Sequence, residues 1–238
     1  MSSTQSYKNP LNNFGFKVTS KNDEDGLISE IFRRIPIKGN KIFVEFGAGN
    51  GLESNTLQLL FQDWQGIWVG NEDLAFKVTN ECTLQYVRTH LDKVIFSNAI
   101  GFLKDNTEKN LSFLSMGENG NDSYYLADLL VLKPKVVCVK YNQSILPPGL
   151  YRTQYDDKNT WVHGDFYGTS LQNFVNILEG YKLLVCSEFG GSAFFVRDEY
   201  AELFPECPQN VMDIFVSPNK ATRTPSTVIE HLITRNVK

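Results

Sequence analysis

The stretch KIFVEFGAGNGLESNT, from Lys41 to Thr56, decides the fold. Its first half is bulky and β-favouring. It ends abruptly at Gly47, Gly49 and Gly51, which lack Cβ atoms and therefore permit a positive φ and a close approach of the backbone to a ligand. The pattern predicts a strand, a tight turn and then a helix. Such a turn directs backbone N–H groups and a helix N-terminus towards an anionic group.

The spacing of these glycines narrows the choice of ligand. They follow GxGxG and not the GxGxxG of a dinucleotide-binding turn, and an acid, Glu45, stands just before the first of them. This combination favours a site for S-adenosylmethionine (SAM) over a nicotinamide site, so a hydride-transferring dehydrogenase is a distant alternative. A strand, turn and helix whose glycines serve only the backbone is the other interpretation of the motif.

The rest of the chain alternates between strand and helix patterns. Further strands are predicted at 64–69, 94–99, 111–116 and 136–141, and helices at 20–35, 55–64, 74–90, 123–133 and 170–181. KLLVCSEF and SAFFVRDEY form a terminal hairpin joined by Gly190 and Gly191. The fold class is therefore α/β, with a doubly wound, mostly parallel seven-stranded sheet and an antiparallel C-terminal hairpin. Ligands of such sheets bind at the carboxyl ends of the strands, where all the motifs fall.

Length and charge bound the remaining possibilities. The 238 residues predict a single domain, with an N-terminal arm at 1–19 and a C-terminal cap at 204–238. A net charge of -4 argues against nucleic acid as a partner. The first residues lack the pattern of a secretory signal, and no apolar run approaches the ~20 residues of a membrane span, so we expect no membrane partner and a cytoplasmic location.

Two further positions are candidates for the nucleoside part of SAM. In a methyltransferase sheet an acid at the end of the second strand accepts hydrogen bonds from the ribose hydroxyls, and Glu72 is preferred over Asp73 for this role. Ile100, after the predicted third strand, marks where an adenine ring would lie. An ordinary strand-end turn is the alternative at both places.

The chain resembles the FkbM-like SAM-dependent methyltransferases, which modify sugars and other small hydroxyl compounds. The resemblance runs through NDEDGLISEIF, FVEFGAGNGLESNT, PKVVCVKYN and SAFFVR and covers most of residues 20–198. It implies a Rossmann-like class I methyltransferase fold and O-methylation of a sugar-like or other small polar acceptor. It also implies that Glu45, the three glycines, Ser54 and Asn55 hold SAM.

The chain departs from the family pattern at one rim of the predicted site. Gly70 stands where the family has an acid, Gly117 and Asn119 replace two aspartates, and Lys140 replaces the glutamate of an EYN motif. Each change removes negative charge or adds positive charge. A metal is not predicted, because the hard oxygen ligands that a cation such as Mg²⁺ needs are missing.

A hydroxyl acceptor needs a base to take its proton. The candidates are His163, Asp122, Glu118 and Asp165, with His163 first because its reference pKa is ~6.5. Lys140 is a further candidate base if its surroundings release its proton, although an ion pair with Glu118 or Glu45 is the simpler role.

The long stretch from Gln143 to Tyr167 has no regular period and is the predicted acceptor-binding loop. The residues predicted to contact the acceptor, a small molecule or glycan, are Glu118, Asn142, Asp165 and Tyr167. Two functions stay open at this point. One is an active methyltransferase, and the other is a methyltransferase-fold protein that has lost catalysis and serves as a binding or assembly partner. A homodimer is possible but nothing in the sequence requires one.

Overall fold

The computed structural model describes residues 8–39, 41–79, 83–90, 96, 101, 103, 111–117, 120–157, 166–189 and 191–218. The strands are Ile42–Phe46 (β1), Gln65–Gly70 (β2), Leu84–Arg88 (β3), Leu111–Met116 (β4), Val136–Lys140 (β5), Tyr181–Cys186 (β6) and Ser192–Arg197 (β7). The α-helices are Glu24–Arg34 (α1), Leu57–Leu60 (α2), Asp122–Leu129 (α3), Leu171–Ile177 (α4) and Val211–Ile214 (α5). Three 3-10 helices cover Pro10–Phe14, Leu130–Leu132 and Asp198–Leu203.

The seven strands form one sheet in the order β3-β2-β1-β4-β5-β7-β6. The first five are parallel to their neighbours, and β7 runs antiparallel to both β5 and β6. The predicted fold class is thus confirmed, and it is consistent with the class I methyltransferase fold. The chain order reverses on either side of β1, so the crevice beyond the carboxyl ends of β1 and β4 is where such a sheet binds its ligands.

Both faces of the sheet are buried, as a doubly wound fold requires. All six residues of β4 are buried. Val44 and Phe46 of β1 pack into the core that includes Leu126 of α3, while Phe43 and Trp68 pack on the opposite face. That second face is covered by α1 through its leucine and isoleucine side chains, which recur at helical spacing, namely Leu27, Ile28 and Ile31.

Two predicted helices need correction, and one predicted strand lies almost entirely outside the described residues. The helix predicted at 74–90 is wrong, because β3 occupies its second half. β3 lies at an edge of the sheet and its side chains are largely exposed, so its sequence lacks the apolar pattern of a buried strand. The strand predicted at 94–99 lies outside the described residues except for Phe96, whose backbone is helical. The helix predicted at 55–64 is only the four residues of α2. The hairpin is present, but β7 lies inside the sheet and only β6 forms the edge.

The segments at both ends of the described chain pack on the domain. Asn9 and Asn12 donate side-chain hydrogen bonds to the carbonyl oxygens of Leu184 (2.6 Å) and Cys186 (2.9 Å) in β6. Near the other end, the hydroxyl of Tyr141 donates to the carbonyl of Val216 at 2.7 Å. None of the helices formed by the described residues has the length and apolar character needed to cross a membrane.

Candidate functional site

A cavity of about 320 Å³ lies at the carboxyl ends of the central strands. Its walls come from the turn after β1, from Glu72 beyond β2, from Gly117 beyond β4 and from Lys140 at the end of β5. Sequence-distant residues therefore meet where the sheet topology predicts a ligand.

The glycines of the turn have different surroundings, although all three have positive φ values: 77° at Gly47, 56° at Gly49 and 87° at Gly51. A Cβ on Gly51 would lie 2.8 Å from the Trp68 ring and 3.0 Å from the Phe76 ring, so this glycine is required by packing. A Cβ on Gly49 would meet only a carboxylate oxygen of Glu72, at 3.8 Å. Gly49 is therefore the glycine that keeps the cavity open to a ligand.

The carboxylate of Glu45 stabilises the turn through hydrogen bonds. It is 4% exposed, and its carboxylate accepts hydrogen bonds from the backbone N–H groups of Asn55 (2.9 Å) and Thr56 (3.0 Å) and from the Thr56 hydroxyl (2.6 Å). Burial raises its pKa to about 6, although these hydrogen bonds act in the opposite direction. Glu45 lines the cavity as predicted, but its oxygens serve the chain that leads into α2, so a direct contact with the SAM ammonium group stays a prediction.

Ser54 and Asn55 both line the cavity, and they differ in their bonding. The Asn55 amide donates to the hydroxyl of Ser115 on β4 at 3.1 Å, which ties the turn to the neighbouring strand. The hydroxyl of Ser54 is buried and has no hydrogen-bond partner among the described residues. A buried hydroxyl without a partner costs free energy.

Beyond β2, Glu72 lines the cavity, whereas Asp73 forms an ion pair with Arg88 at 2.7 Å. The hydroxyl of Tyr86 donates to the backbone carbonyl of Glu72 and so fixes the turn that carries this acid. A Cβ on Gly70 would lie 3.2 Å from the same hydroxyl, which leaves little space for a side chain at the strand end. The choice of Glu72 over Asp73 agrees with this geometry, and its contact with a ribose stays a prediction.

Among the described residues, Lys140 forms its ion pair with Glu24. It does not pair with Glu45, the one predicted partner that the structure describes. Its ammonium group contacts Glu24 Oε1 at 3.1 Å and donates to the hydroxyl of Ser192 at 2.6 Å, and that hydroxyl donates to the same glutamate oxygen at 2.8 Å. The expected partner Glu45 is bonded elsewhere, and Glu118 lies outside the described residues.

The ionisation of this pair excludes the role of base for Lys140. Burial opposes the charge on Lys140, but the carboxylate of Glu24 outweighs it and the pKa of the ammonium group is raised. Burial likewise disfavours the charge on Glu24, yet Lys140 and Ser192 bring the pKa of this carboxylate down to about 2. Lys140 therefore keeps its proton, and the prediction that it acts as a base is corrected. A Cβ at Gly117 would lie 3.5 Å from Lys140 Cγ, an ordinary van der Waals contact, so the position of Lys140 does not require glycine there.

Three other predicted residues, Asp122, Asn142 and Tyr167, are not among the residues that line the cavity. Asp122 is the buried first residue of α3, and its carboxylate accepts from the N–H of Gly120 at 3.2 Å. Asn142 is fully buried and donates from its amide to the carbonyl of Tyr167 at 2.9 Å. Its amide oxygen accepts from the N–H of Ser144 at 2.8 Å. Asn142 therefore holds the loop in place through hydrogen bonds to Tyr167 and Ser144 and is not exposed to an acceptor. Its predicted role as an acceptor-binding residue is corrected.

Several predicted site residues, including the first-ranked base, lie outside the described residues. They are Ile100, Glu118, His163 and Asp165. Their roles stay predictions from the sequence. In the described part of the chain, no three His, Cys, Asp or Glu side chains are grouped to hold a metal ion.

Comparisons with known proteins add little to this geometry. No protein-family model and no curated protein sequence matches the chain. One solved structure to which it is similar is titled a SAM dependent methyltransferase from Archaeoglobus fulgidus. The identity is 18%, the match covers 70% of this chain and 74% of that chain, and the TM-score is 0.38. A likeness this weak carries no argument, so the function has to be inferred from the residues of the site.

Sequence reasoning missed the residues that complete the rim. Glu24, the buried partner of Lys140, was not among the predicted site residues. Ser192 of β7 and Lys21, which precedes α1 and lines the cavity, were not singled out. The register that places Ser192 opposite Lys140 exists only once β7 pairs with β5, and no local pattern announces it.

Proposed function

We propose that this protein is a SAM-dependent methyltransferase. The observation that carries the proposal is the buried hydroxyl of Ser54, which lines the cavity beside Gly49 and has no partner among the described residues. Of the described residues with a buried side-chain polar atom that lacks a partner, Ser54 is the one that lines the cavity, so a ligand there is the candidate to complete its hydrogen bonding. The position of the cavity at the carboxyl end of β1 supports the same proposal.

The cavity walls suit the groups that SAM carries. Gly49 leaves space against the turn, Ser54 offers a hydroxyl, and Glu72 offers a carboxylate to a ribose diol from the β2 side. SAM supplies an activated methyl group on a sulfonium centre. The protein has to hold this group in line with the acceptor, and alignment alone is worth roughly 7 to 11 kcal/mol in favourable cases.

For the acceptor, we propose a sugar-like or other small polar compound that is methylated on oxygen. This part of the proposal is supported by the resemblance of the motifs and by the polar cavity wall. The base is then Asp122, which is near the start of α3, or one of Glu118, His163 and Asp165. The raised pKa of Lys140 removes it from this group.

The direct test is isothermal titration calorimetry of the full chain with SAM and with its demethylated product, S-adenosylhomocysteine. We expect both to bind with dissociation constants in the micromolar range, which corresponds to roughly 7 to 8 kcal/mol. Absence of heat for both ligands at millimolar concentration would overturn the proposal.

A second candidate function is favoured by one observation. At the rim where the family has acids, Lys140 is held by Glu24 and Ser192, and Gly117 provides no side chain. A protein that binds SAM without transferring its methyl group would tolerate this rim. Calorimetry that detects SAM together with a persistent lack of methyl transfer across hydroxyl acceptors would favour this second function.

A further inference from the structure

The ammonium group of Lys140 is fixed at the edge of the cavity with hydrogen-bonding capacity to spare. A lysine has three N–H donors. Among the described residues, two are taken by Glu24 Oε1 at 3.1 Å and by the hydroxyl of Ser192 at 2.6 Å. The side chain is 37% exposed and lines the cavity, whereas its partner Glu24 is fully buried behind it. One donor is therefore held ready for a ligand atom.

Charge is distributed unevenly along the cavity. In the strand order β2-β1-β4-β5, Glu72 follows β2 on one side of the glycine turn, and Lys140 ends β5 on the other side. Lys21 lines the cavity too, and no described acid forms an ion pair with it. Glu45 and Glu53 line the cavity as well, and the Glu45 oxygens are taken by Asn55 and Thr56. A ligand that spans the cavity from β2 to β5 therefore meets the carboxylate of Glu72 at one end and the ammonium group of Lys140 at the other.

We infer that Lys140 binds the carboxylate of the methionine part of SAM. This inference rests on the proposed function. The ribose of SAM is directed to Glu72 and the amino-acid part lies over Gly117 towards β5. A charge-assisted hydrogen bond to a carboxylate is stronger than one between neutral groups, and the two protein partners of Lys140 hold its ammonium group in place beforehand.

The ion pair with Glu24 is what positions the lysine. Glu24 stands at the start of α1 and reaches the end of β5 from a place 116 positions earlier in the chain. Its other carboxylate oxygen accepts from the N–H of Asn22 at 2.8 Å, so the acid is itself fixed. Lys140 is a binding residue in this inference, and Glu24 is a positioning residue.

The test compares SAM with decarboxylated SAM, which keeps the ammonium group and the sulfonium centre and lacks only the carboxylate. Calorimetry is run on the wild type and on Lys140→Met. In the wild type, decarboxylated SAM should bind about ten- to a hundredfold more weakly than SAM, the range expected for a charged hydrogen bond. In Lys140→Met, SAM should lose that advantage and the two ligands should bind within about twofold of each other.

Two further variants serve as controls for this result. Lys140→Met leaves Glu24 buried without its partner, which is destabilising. The double variant Glu24→Gln/Lys140→Met removes both charges and should show the same loss of discrimination in a folded protein. Lys135→Met is the matched control, because Lys135 precedes the same strand at its opposite end and donates to the carbonyl of Pro36; it should discriminate as the wild type does.

The outcomes separate this inference from the proposed function. Equal binding of the two ligands by the wild type, or undiminished discrimination in both Lys140 variants, would overturn the inference while SAM binding itself still stood. A wild type that binds neither ligand would overturn the proposed function and this inference with it.

Discussion

Glu45 and Thr56, eleven positions apart in the chain, are joined by a hydrogen bond of 2.6 Å from the threonine hydroxyl to the glutamate carboxylate. The same hydroxyl accepts from the indole N–H of Trp68 at 2.7 Å. All three side chains are buried, so a chain of hydrogen bonds ties the end of β1 through the start of α2 to β2. The acid of the glycine motif is therefore a structural tie between three elements.

Replacing Thr56 by valine tests this tie. Valine keeps the shape and leaves both the indole N–H of Trp68 and one Glu45 oxygen without this partner. We expect the free energy of unfolding to fall by about 3 kcal/mol, as for unsatisfied buried groups and bonds to a charge. Thr56→Ser should lose only about 1 kcal/mol for the missing methyl group. Urea denaturation measures both, and equal losses in the two variants would contradict the hydrogen-bonding explanation.

Ser54→Ala should affect ligand binding and stability in opposite directions. The Ser54 hydroxyl has no partner among the described residues, so its removal should leave stability unchanged or raise it by up to about 1 kcal/mol, while affinity for S-adenosylhomocysteine drops about fivefold. Ser112→Ala is the control, since Ser112 in β4 has an equally unpartnered buried hydroxyl and does not line the cavity. Calorimetry should show a changed affinity for Ser54→Ala alone. Thermal unfolding measures the stability of both variants.

Gly49→Val should remove SAM binding without unfolding the protein. A Cβ at Gly49 enters the open side of the cavity, so affinity should fall by about a hundredfold or more. Valine at a φ of 56° also strains the backbone. Gly180→Val carries the same strain at a φ of 83°, with nothing within 4 Å, in the turn before β6 at the other end of the sheet. Comparable weakening of SAM binding by both variants would show that strain, and not occupancy of the cavity, is responsible.

Asp23 should make stability depend on pH. It is 1% exposed, and burial, followed by the charge of Glu24, raises its pKa to about 7 from 3.8, against hydrogen bonds from the Ser187 hydroxyl and the N–H of Glu188. The folded state therefore binds this proton more tightly than the unfolded state. The stability that it contributes is complete below pH 3.8 and is lost as the pH rises through about 7.

The variant Asp23→Asn isolates this effect. Between pH 4 and pH 7 the wild type should lose roughly 3 kcal/mol more unfolding free energy than the variant. Denaturant titrations at several pH values measure the difference. Parallel pH profiles for the two proteins would rule out Asp23 as the titrating group.

The central part of the fold could be predicted from local sequence, and its edge could not. β4 was predicted with its observed bounds, and β2 and β5 to within a residue at each end, because central strands buried on both faces are continuous apolar runs. β3 was missed because an edge strand has half its surface in water and its alternation is broken. The place of β7 inside the sheet depends on pairing with β5, which is a long-range event.

The site divides in the same way. The glycine turn and Glu72 line the cavity and were predicted from their places after strand ends, whereas Ser54 and Asn55, which also line it, were predicted from the family resemblance. The partner of Lys140 was not found, since Glu24 comes to it across 116 positions through the packing of α1 on the sheet. The charged residues at the rim could be counted from the sequence. Which of them form ion pairs with each other could not be predicted from it.

The tie through Glu45 also limits what the survival of this motif can mean. Glu45, Gly51 and Thr56 are required by packing and hydrogen bonding, so a descendant of this protein that had abandoned its ligand would still be held to them by selection for folding alone. Ser54 is different, because its hydroxyl contributes nothing to the described fold. Across natural variants, the retention or loss of that one hydroxyl would distinguish lineages that use the cavity from those that merely inherited it.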